Sequence, residues 1–386
     1  LFMAMIACNS PSAPVYRSQA KLPQPAAHRV FIEEGARSMV GVPEVILPSF
    51  ETAAERLNSA KNDAADDFRA ANKIWYAQTQ GLKEGQFRPF GEWEEMQGVW
   101  TTYSNGMPGS KAVRRMFAEQ TINFIRHSKP QVKAYIIVNN KTVGNDFLKA
   151  VDQYGITEKE KEFVTIVTMP NQTIWHIDYG PFPMIERKTG KVVLTDFVYY
   201  KPRQVDDAIP TRIGRDFYKD ASVYRMPFPF EGGNIQTDGE GTCLTSFRAL
   251  KNTGFSELKV RNLLKKYMAC KKTLIVQDIS DDGTGHIDMF FKWVNTNEVM
   301  FGKYEDTITL DYDGDGKKET LPLPGSVAKD YQSTFKLNQK RMEDNVKLFE
   351  STTAENGKKY KVHRLSMMTR FKDSYGNLPR TFINST

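Results

Sequence analysis

The same series of predicted elements, a strand, a helix and a strand, occurs twice in this chain, and this repeat constrains the fold more than any other feature. The first copy predicts a strand, a helix and a strand at 132–138, 145–153 and 163–168. The second copy predicts the same elements at 243–246, 257–268 and 273–276. Each copy is followed by His-Ile-Asp, which ends at Asp178 and at Asp288. Repeated supersecondary units predict a repeat architecture, here of the α/β class.

Composition excludes several other classes of protein. The chain has 386 residues, of which 40% are hydrophobic, so it can bury a sizeable core. No apolar run approaches the ~20 residues of a membrane-spanning helix. The net charge of +7 is spread along the chain without a block of Lys or Arg, which disfavours a nucleic-acid partner.

The first ten residues resemble the end of a bacterial lipoprotein signal. An apolar run, Leu1-Phe-Met-Ala-Met-Ile-Ala7, stands directly before Cys8. In this interpretation residues 1–8 are the remnant of the signal and Cys8 is lipidated, which predicts a cell-envelope location, periplasmic or surface-exposed. A frayed hydrophobic N-terminus and a secreted protein are the alternatives.

The segments that follow predict a tether, a helix and one large domain. Residues 9–48 are rich in Pro, Ser and Ala and predict a loosely ordered tether. Within 49–85, the capping box from Thr52 to Glu55 and apolar residues at three- and four-residue steps predict one amphipathic helix at about 52–75. Residues 86–386 form the predicted main domain.

Polar residues at predicted strand ends are the candidates for chemistry. Asp178 precedes Gly180-Pro181 at a predicted strand end, Glu231 precedes Gly232-Gly-Asn234, and His286 and Asp288 lie two residues apart. Carboxylates that bind a cation and a histidine that moves protons suit a cationic substrate. A metal site at His286 and Asp288 and ordinary turn-capping Asp residues are the alternatives.

Five motifs in order resemble the agmatine deiminases and the bacterial-type peptidylarginine deiminases. The five motifs are Gly91-Glu-Trp-Glu94 with Trp100, Trp175-His-Ile-Asp-Tyr-Gly-Pro181, Glu231-Gly-Gly-Asn234, Gly285-His-Ile-Asp288 and Arg380-Thr-Phe-Ile-Asn384. These families belong to the guanidino-group-modifying enzymes. The resemblance implies a five-bladed α/β propeller of the pentein type with pseudo-fivefold repeats, whose last part is missing here.

The resemblance also implies a role for each matching residue. Asp178 and Asp288 would hold the guanidinium nitrogens, and His286 would protonate the departing ammonia and then activate water. The substrate-binding residues would be Trp175, Glu231 and Asn384. The implied reaction gives citrulline from arginine through a covalent cysteine intermediate and needs no cofactor.

The nucleophilic cysteine of the family has no counterpart among the matched motifs. Cys243 and Cys270 do not match its motif and are interpreted as small buried residues, although a bond between them is left open. The nucleophile is therefore expected beyond Thr386, and the polypeptide as given is expected to be inactive. Ile177 is a second departure, because many family members carry Arg before the first catalytic Asp.

Two basic residues bear on the substrate. Lys201 and Arg203 resemble positions that bind a substrate carboxylate in the peptidylarginine type, which favours an arginine-containing peptide over agmatine. An exposed basic pair without this role is the alternative. Agmatine deimination, which gives N-carbamoylputrescine, and an inactive arginine-peptide-binding surface protein remain the competing functions.

A last motif predicts a structural calcium site. Asp311, Asp313 and Asp315 have the alternate spacing of calcium loops. Pro322 stands where an EF-hand has Glu, which excludes that motif. The alternative is a hairpin turn between two β-rich runs.

Overall fold

The computed structural model describes most of the chain. The described residues are 29–31, 47–367, 371–373 and 376–378, except for 62–63, 108, 129–131, 220, 281, 305–308, 311–318 and 321–326. The chain divides into two compact units. The first unit comprises 1–90, 94–232 and 263–269, and the second unit comprises 91–93, 233–262 and 270–386.

Helices and short strands alternate along the described chain. The α-helices are α1 (Ala53–Lys61), α2 (Ala64–Ala71), α3 (Lys73–Tyr76), α4 (Lys111–His127), α5 (Lys141–Gln153), α6 (Glu158–Lys161), α7 (His176–Tyr179), α8 (Gln204–Arg212), α9 (Phe247–Asn252), α10 (Glu257–Met268) and α11 (Val327–Ser351). The strands are β1 (Arg29–Phe31), β2 (Phe87–Pro89), β3 (Gly98–Tyr103), β4 (Lys133–Val138), β5 (Val164–Thr168), β6 (Phe182–Glu186), β7 (Val192–Val198), β8 (Val223–Pro229), β9 (Gln236–Thr237), β10 (Thr242–Ser246), β11 (Lys272–Val276), β12 (Phe291–Trp293), β13 (Glu298–Lys303), β14 (Thr309–Leu310), β15 (Glu319–Thr320), β16 (Lys361–Ser366), β17 (Phe371–Asp373) and β18 (Gly376–Leu378). Among the described residues, no helix is both long and apolar enough to cross a membrane.

Two four-stranded sheets form the framework of the first unit. One has the order β1-β5-β4-β3 with all strands parallel, and α4, α5 and α6 lie in its connections. The other has the order β2-β6-β7-β8, in which only β7 and β8 are parallel. β4 is buried from Ala134 to Val138, as expected for a central strand covered on both faces.

Two three-stranded sheets form the framework of the second unit. Their orders are β11-β10-β9 and β12-β13-β16, and each combines one antiparallel pair with one parallel pair. The parallel pairs are joined through α9 and α10 and through α11, respectively. The aromatic residues Phe291, Phe301 and Phe349 pack together in the core of this unit.

Both predicted strand–helix–strand copies are present in the connectivity, as β4-α5-β5 and β10-α10-β11, and each has a parallel strand pair. An antiparallel strand pair followed by a helical crossover to a parallel strand occurs at β6-β7-α8-β8, β9-β10-α10-β11 and β12-β13-α11-β16. The predicted helix at 257–268 has its predicted bounds. Five blades remain a prediction, since the described strands form open sheets of two to four strands.

The N-terminal segment differs from its prediction. The capping box is confirmed: the backbone N–H of Glu55 donates to Oγ1 of Thr52 over 3.1 Å, and that of Thr52 donates to Oε2 of Glu55 over 2.8 Å. The single helix is wrong, because α2 ends where the side chain of Asn72 donates to the carbonyl of Phe68, and α3 starts after it. Within the predicted tether, Arg29–Phe31 forms β1 and pairs with β5.

Candidate active site

The candidate residues occupy three equivalent positions in the connectivity. Asp178 lies between β5 and β6, Glu231 between β8 and β9, and His286 and Asp288 between β11 and β12. Each of these connections leaves the last parallel strand of one sheet and enters the next sheet. Functional residues of α/β proteins gather beyond the carboxyl ends of parallel strands. The repeat therefore places an acidic residue in each of three connections that follow the carboxyl end of a parallel strand.

Asp178 lies in the one-turn helix α7 and not at the predicted strand end. Its side chain is 1% exposed. The hydroxyl of Thr102 fixes this turn, since its Oγ1 lies 3.2 Å from Nδ1 of His176 and 2.7 Å from the hydroxyl of Tyr179. Burial lowers the pKa of His176 to about 3, so this imidazole is neutral at pH 7 and serves the packing of the turn.

Asp206 fixes the residues that lead into α7. Its Oδ1 accepts the backbone N–H of Gln172 over 2.6 Å, and its Oδ2 accepts the hydroxyl of Thr173 over 2.7 Å. Burial raises the pKa of Asp206 to about 6, against the effect of these hydrogen bonds. This buried carboxyl links the start of α8 to the loop that carries Trp175 and Asp178.

Two tyrosines adjoin the acidic residues of the first unit. Burial raises the pKa of Tyr199 well above its usual value, and the negative charges of Asp178 and Glu231 add to this effect. Burial likewise raises the pKa of Tyr200, and the negative charge of Glu231 adds to this effect. Negative charge beside aromatic faces is an environment that attracts a flat cation. A guanidinium group fits this chemistry.

Lys201 and Arg203, the predicted ligands of a substrate carboxylate, both bind acidic side chains of the N-terminal helices. The Nζ of Lys201 lies 2.7 Å from Oδ2 of Asp66, and both side chains are about half exposed. The side chain of Arg203 is fully buried, and its Nε donates to Oε1 of Glu55 over 2.8 Å. A substrate carboxylate would have to displace Glu55 to reach Arg203.

The two glycines after Glu231 are explained by packing against neighbouring loops. A Cβ at Gly232 would overlap the carbonyl oxygen of Ile177, in the first unit. In the second unit, a Cβ at Gly233 would overlap the ring of His286. The close neighbours of both glycines are therefore the loops that carry the candidate residues.

In the second unit, backbone hydrogen bonds fix the connection that carries His286 and Asp288. The N–H of His286 donates to Oδ2 of Asp282 over 2.8 Å, and the N–H of Ile287 donates to the carbonyl of Gly233 over 2.8 Å. The segment is a loop. Nδ1 of His286 lies 4.0 Å from Oδ1 of Asp288.

Asp288 is a buried carboxyl with an unusual environment. It is 1% exposed, and neither of its oxygens accepts a hydrogen bond from the described residues. Burial raises its pKa to about 6, although the charges of His286 and Lys292 oppose this shift. Nζ of Lys292 is held by Oε2 of Glu92 over 3.0 Å. Two open acceptor oxygens in a buried site suit a ligand that donates N–H groups.

The two described cysteines form a disulfide bond, Cys243–Cys270. Both residues are buried, at 0% and 2% exposure. The bond that the sequence left open is therefore present, and the interpretation of both cysteines as small buried residues is confirmed. A disulfide-bonded sulfur is not a thiolate, so neither residue is a nucleophile in this state.

Some predicted residues lie outside the described part of the chain. These are the lipidation residue Cys8, the substrate-binding residue Asn384, and the calcium ligands Asp311, Asp313 and Asp315. Among the described residues, no group of three or more His, Cys, Asp or Glu side chains is placed to hold a metal ion.

Sequence reasoning missed three residues that adjoin the candidate site. Tyr199 and Tyr200 directly precede Lys201, and this adjacency was the available signal. Glu55 was recognised only as a capping residue, because its distance of 148 positions from Arg203 leaves no local trace of their contact.

Residues 88–386 match the sequence model of the Porphyromonas-type peptidyl-arginine deiminases, and the chain belongs to this family. A Mycoplasma capricolum protein provisionally named an agmatine deiminase is 26% identical over 251 residues, which cover 60% of this chain and 64% of that protein. The chain thus spans less than two thirds of this curated relative.

Solved structures agree on the fold. The agmatine deiminase of Enterococcus faecalis has a TM-score of 0.58 and 21% identity, over 79% of this chain and 80% of that chain. The agmatine deiminase of C. jejuni has a TM-score of 0.56 and 18% identity, over 78% of this chain and 80% of that chain. The chain therefore has the α/β fold of the agmatine and peptidyl-arginine deiminases, the pentein fold.

Proposed function

We propose that this protein hydrolyses the guanidino group of arginine side chains in peptides, giving citrulline and ammonia. The observation that carries the proposal is the acidic and aromatic environment formed by the buried residues Asp178, Glu231 and Tyr199 and the partly buried Tyr200 in a member of this family. Carboxylates beside aromatic rings hold a planar cation, and burial strengthens their charge interactions.

The proposed roles follow the chemistry of guanidinium. Asp178 and Asp288 accept hydrogen bonds from the guanidinium nitrogens, and a cysteine thiolate attacks the central carbon. His286 gives a proton to the departing ammonia and then takes one from the water that attacks the intermediate. The C–S bond breaks, and the ureido product and the thiolate are released. Because Cys243 and Cys270 are bonded to each other, the proposal assigns the thiolate to a residue outside the described part of the chain.

Agmatine is the second candidate substrate, and one contact favours it over peptides that end in arginine. Arg203, which was expected to bind a substrate carboxylate, is bound to Glu55 instead. Agmatine has no carboxylate, and neither does an arginine residue inside a peptide, where this group is part of an amide bond. Both substrates are therefore compatible with the structure, and peptides that end in arginine are less so.

The test uses the full-length protein and a comparison of substrates. Ammonia release is measured from agmatine, from a peptide with an internal arginine and from a peptide with a C-terminal arginine. We expect turnover of at least one guanidino substrate and a loss of roughly 10²- to 10⁴-fold in His286→Ala. Reading the coding sequence past Thr386 shows whether a cysteine is encoded there. Binding of an arginine peptide without ammonia release would favour the competing function, an inactive binder.

We also propose a cell-envelope location, with a lipid anchor on Cys8. The disulfide bond between Cys243 and Cys270 supports this, because disulfides persist in oxidising compartments such as the periplasm and the cell surface. Metabolic labelling with a palmitate analogue should mark the wild-type protein and leave Cys8→Ala unlabelled. Equal labelling of both proteins would contradict the anchor.

A further inference from the structure

The N-terminal segment 47–76 contacts three residues that were predicted to bind substrate, and all these contacts lie in the first unit. The carbonyl of Leu47 accepts Nε1–H of Trp175 over 2.8 Å. Asp66 binds Lys201, and Glu55 binds Arg203. The segment therefore belongs to the environment of the candidate site and is more than a connection to it.

Glu55 binds Arg203 with both carboxylate oxygens. Nε of Arg203 donates to Oε1 over 2.8 Å, and Nη2 donates to Oε2 over 3.1 Å. Burial raises the pKa of Glu55, but hydrogen bonds from Arg203 and Thr52 outweigh it and lower the pKa overall. Glu55 is therefore ionised near neutral pH. This two-point arrangement is the geometry with which arginine binds a ligand carboxylate.

The other donors of Arg203 are also engaged. Nη1 donates to the hydroxyl of Tyr199 over 3.2 Å, and Nη2 donates to the carbonyl of Phe50 over 2.7 Å. The guanidinium lies over the ring of Tyr200 at 5.2 Å from the ring centre. Four of its hydrogen bonds are thus made within the protein, and its side chain is fully buried.

We propose that Glu55 is a specificity-determining residue that occupies the carboxylate-binding position at Arg203. An incoming carboxylate meets the charges of Asp178 and Glu231 and finds Arg203 already neutralised. The site therefore excludes free arginine and peptides that end in arginine. It accepts guanidino compounds whose neighbouring carboxyl group is absent or part of an amide bond. This inference rests on the proposed function, since it assumes that the site binds a guanidinium group.

Agmatine and L-arginine provide a direct test, because they differ only by the α-carboxylate. Calorimetric titration of the full-length wild-type protein is expected to show agmatine binding at least roughly tenfold more tightly than L-arginine, the order expected of one unfavourable charge contact. L-Argininamide, which has no free carboxylate, should bind more tightly than L-arginine. In Glu55→Gln, the affinity for L-arginine should rise roughly tenfold while that for agmatine changes less than about twofold.

Three controls separate specificity from stability. Glu119→Gln removes a Glu that pairs with Arg115 on α4 and should leave the ratio of the two affinities unchanged. The double variant Glu55→Gln, Arg203→Gln should lose the gained arginine affinity. Thermal unfolding of each variant shows that it is folded.

The outcomes are distinguishable. If a folded Glu55→Gln variant binds L-arginine no better, or if both ligands change equally, Glu55 has only a structural role and the proposal is overturned. If the wild-type protein binds L-arginine as tightly as agmatine, the proposal fails while the proposed function stands, and this result needs no variant. If the wild-type protein binds neither these three guanidino compounds nor a peptide with an internal arginine, the proposed function itself fails and the inference with it.

Discussion

The imidazole of His286 packs against the Cα of Gly233, so that any side chain at position 233 would overlap the ring. The carbonyl of the same glycine accepts the N–H of Ile287 over 2.8 Å. One residue thus sets both the backbone position and the side-chain position of the loop that carries His286. The requirement for glycine here is steric, and Gly233 has no backbone conformation that demands it.

The first prediction concerns this contact. Gly233→Ala should displace the ring of His286 and lower the turnover of a guanidino substrate by roughly 10²-fold or more, because proton transfer depends on the position of the histidine. Circular dichroism should still show a folded protein. Gly283→Ala is the matched control, since a Cβ there has no atom within 4 Å, and it should keep full activity. Equal activity of the two variants would contradict the role of Gly233.

The second prediction concerns the pH dependence of stability at Asp288. Its pKa is raised from 3.8 to about 6, so the folded state holds a proton that the unfolded chain loses between these pH values. The contribution of Asp288 to the free energy of unfolding therefore decreases as the pH rises from about 4 to about 6. The cost of the ionised form above pH 6 is about 3 kcal/mol, an upper estimate.

Asp288→Asn removes that ionisation and keeps the shape of the side chain. The variant should unfold at a higher temperature than the wild-type protein at pH 8, and at about the same temperature at pH 4. Scanning calorimetry at both pH values measures the difference. Asp344→Asn on α11, a partly exposed residue paired with Lys340, is the control and should not stabilise the protein at pH 8. A lower unfolding temperature for Asp288→Asn at pH 8 would refute the prediction.

The third prediction concerns the hydroxyl of Tyr200, whose pKa is raised by burial and by the charge of Glu231. Tyr200→Phe removes this polar group from the surroundings of the Glu231 carboxylate. Loss of a polar contact with a charged group costs about 1.5–3 kcal/mol, so agmatine binding should weaken by roughly tenfold or more. Calorimetric titration measures the loss. Tyr218→Phe, which removes the hydroxyl that accepts a hydrogen bond from Trp100, is the control and should bind agmatine normally. If this variant loses as much affinity as Tyr200→Phe, the prediction is wrong.

The repeated elements could be predicted from the sequence because their signals are local. The helix at 257–268 has apolar periodicity within its own residues, and it occurs with the predicted bounds. The order of motifs around Asp178 and Asp288 led to the correct family.

The surroundings of Arg203 could not be predicted in this way. Its partner Glu55 lies 148 residues away, and a capping box explains Glu55 on local grounds alone. Likewise, no local pattern shows that His286 packs on Gly233. Contacts of this kind depend on tertiary packing, to which one sequence gives no access.

The last prediction concerns the disulfide bond between Cys243 and Cys270, which closes a loop over a sequence separation of 27. A cross-link of this length restricts the unfolded chain and stabilises the fold by about 3–4 kcal/mol. Replacing both residues with Ser should therefore lower the unfolding temperature by several degrees. Wild-type protein whose disulfide has been reduced in denaturant and kept reduced during refolding should unfold at the same lowered temperature. Mass spectrometry of an unreduced digest should show the two peptides joined. Because both sulfurs are buried, a mild reductant should not open the bond in the folded protein. Rapid reduction under native conditions would show instead that this part of the second unit opens readily.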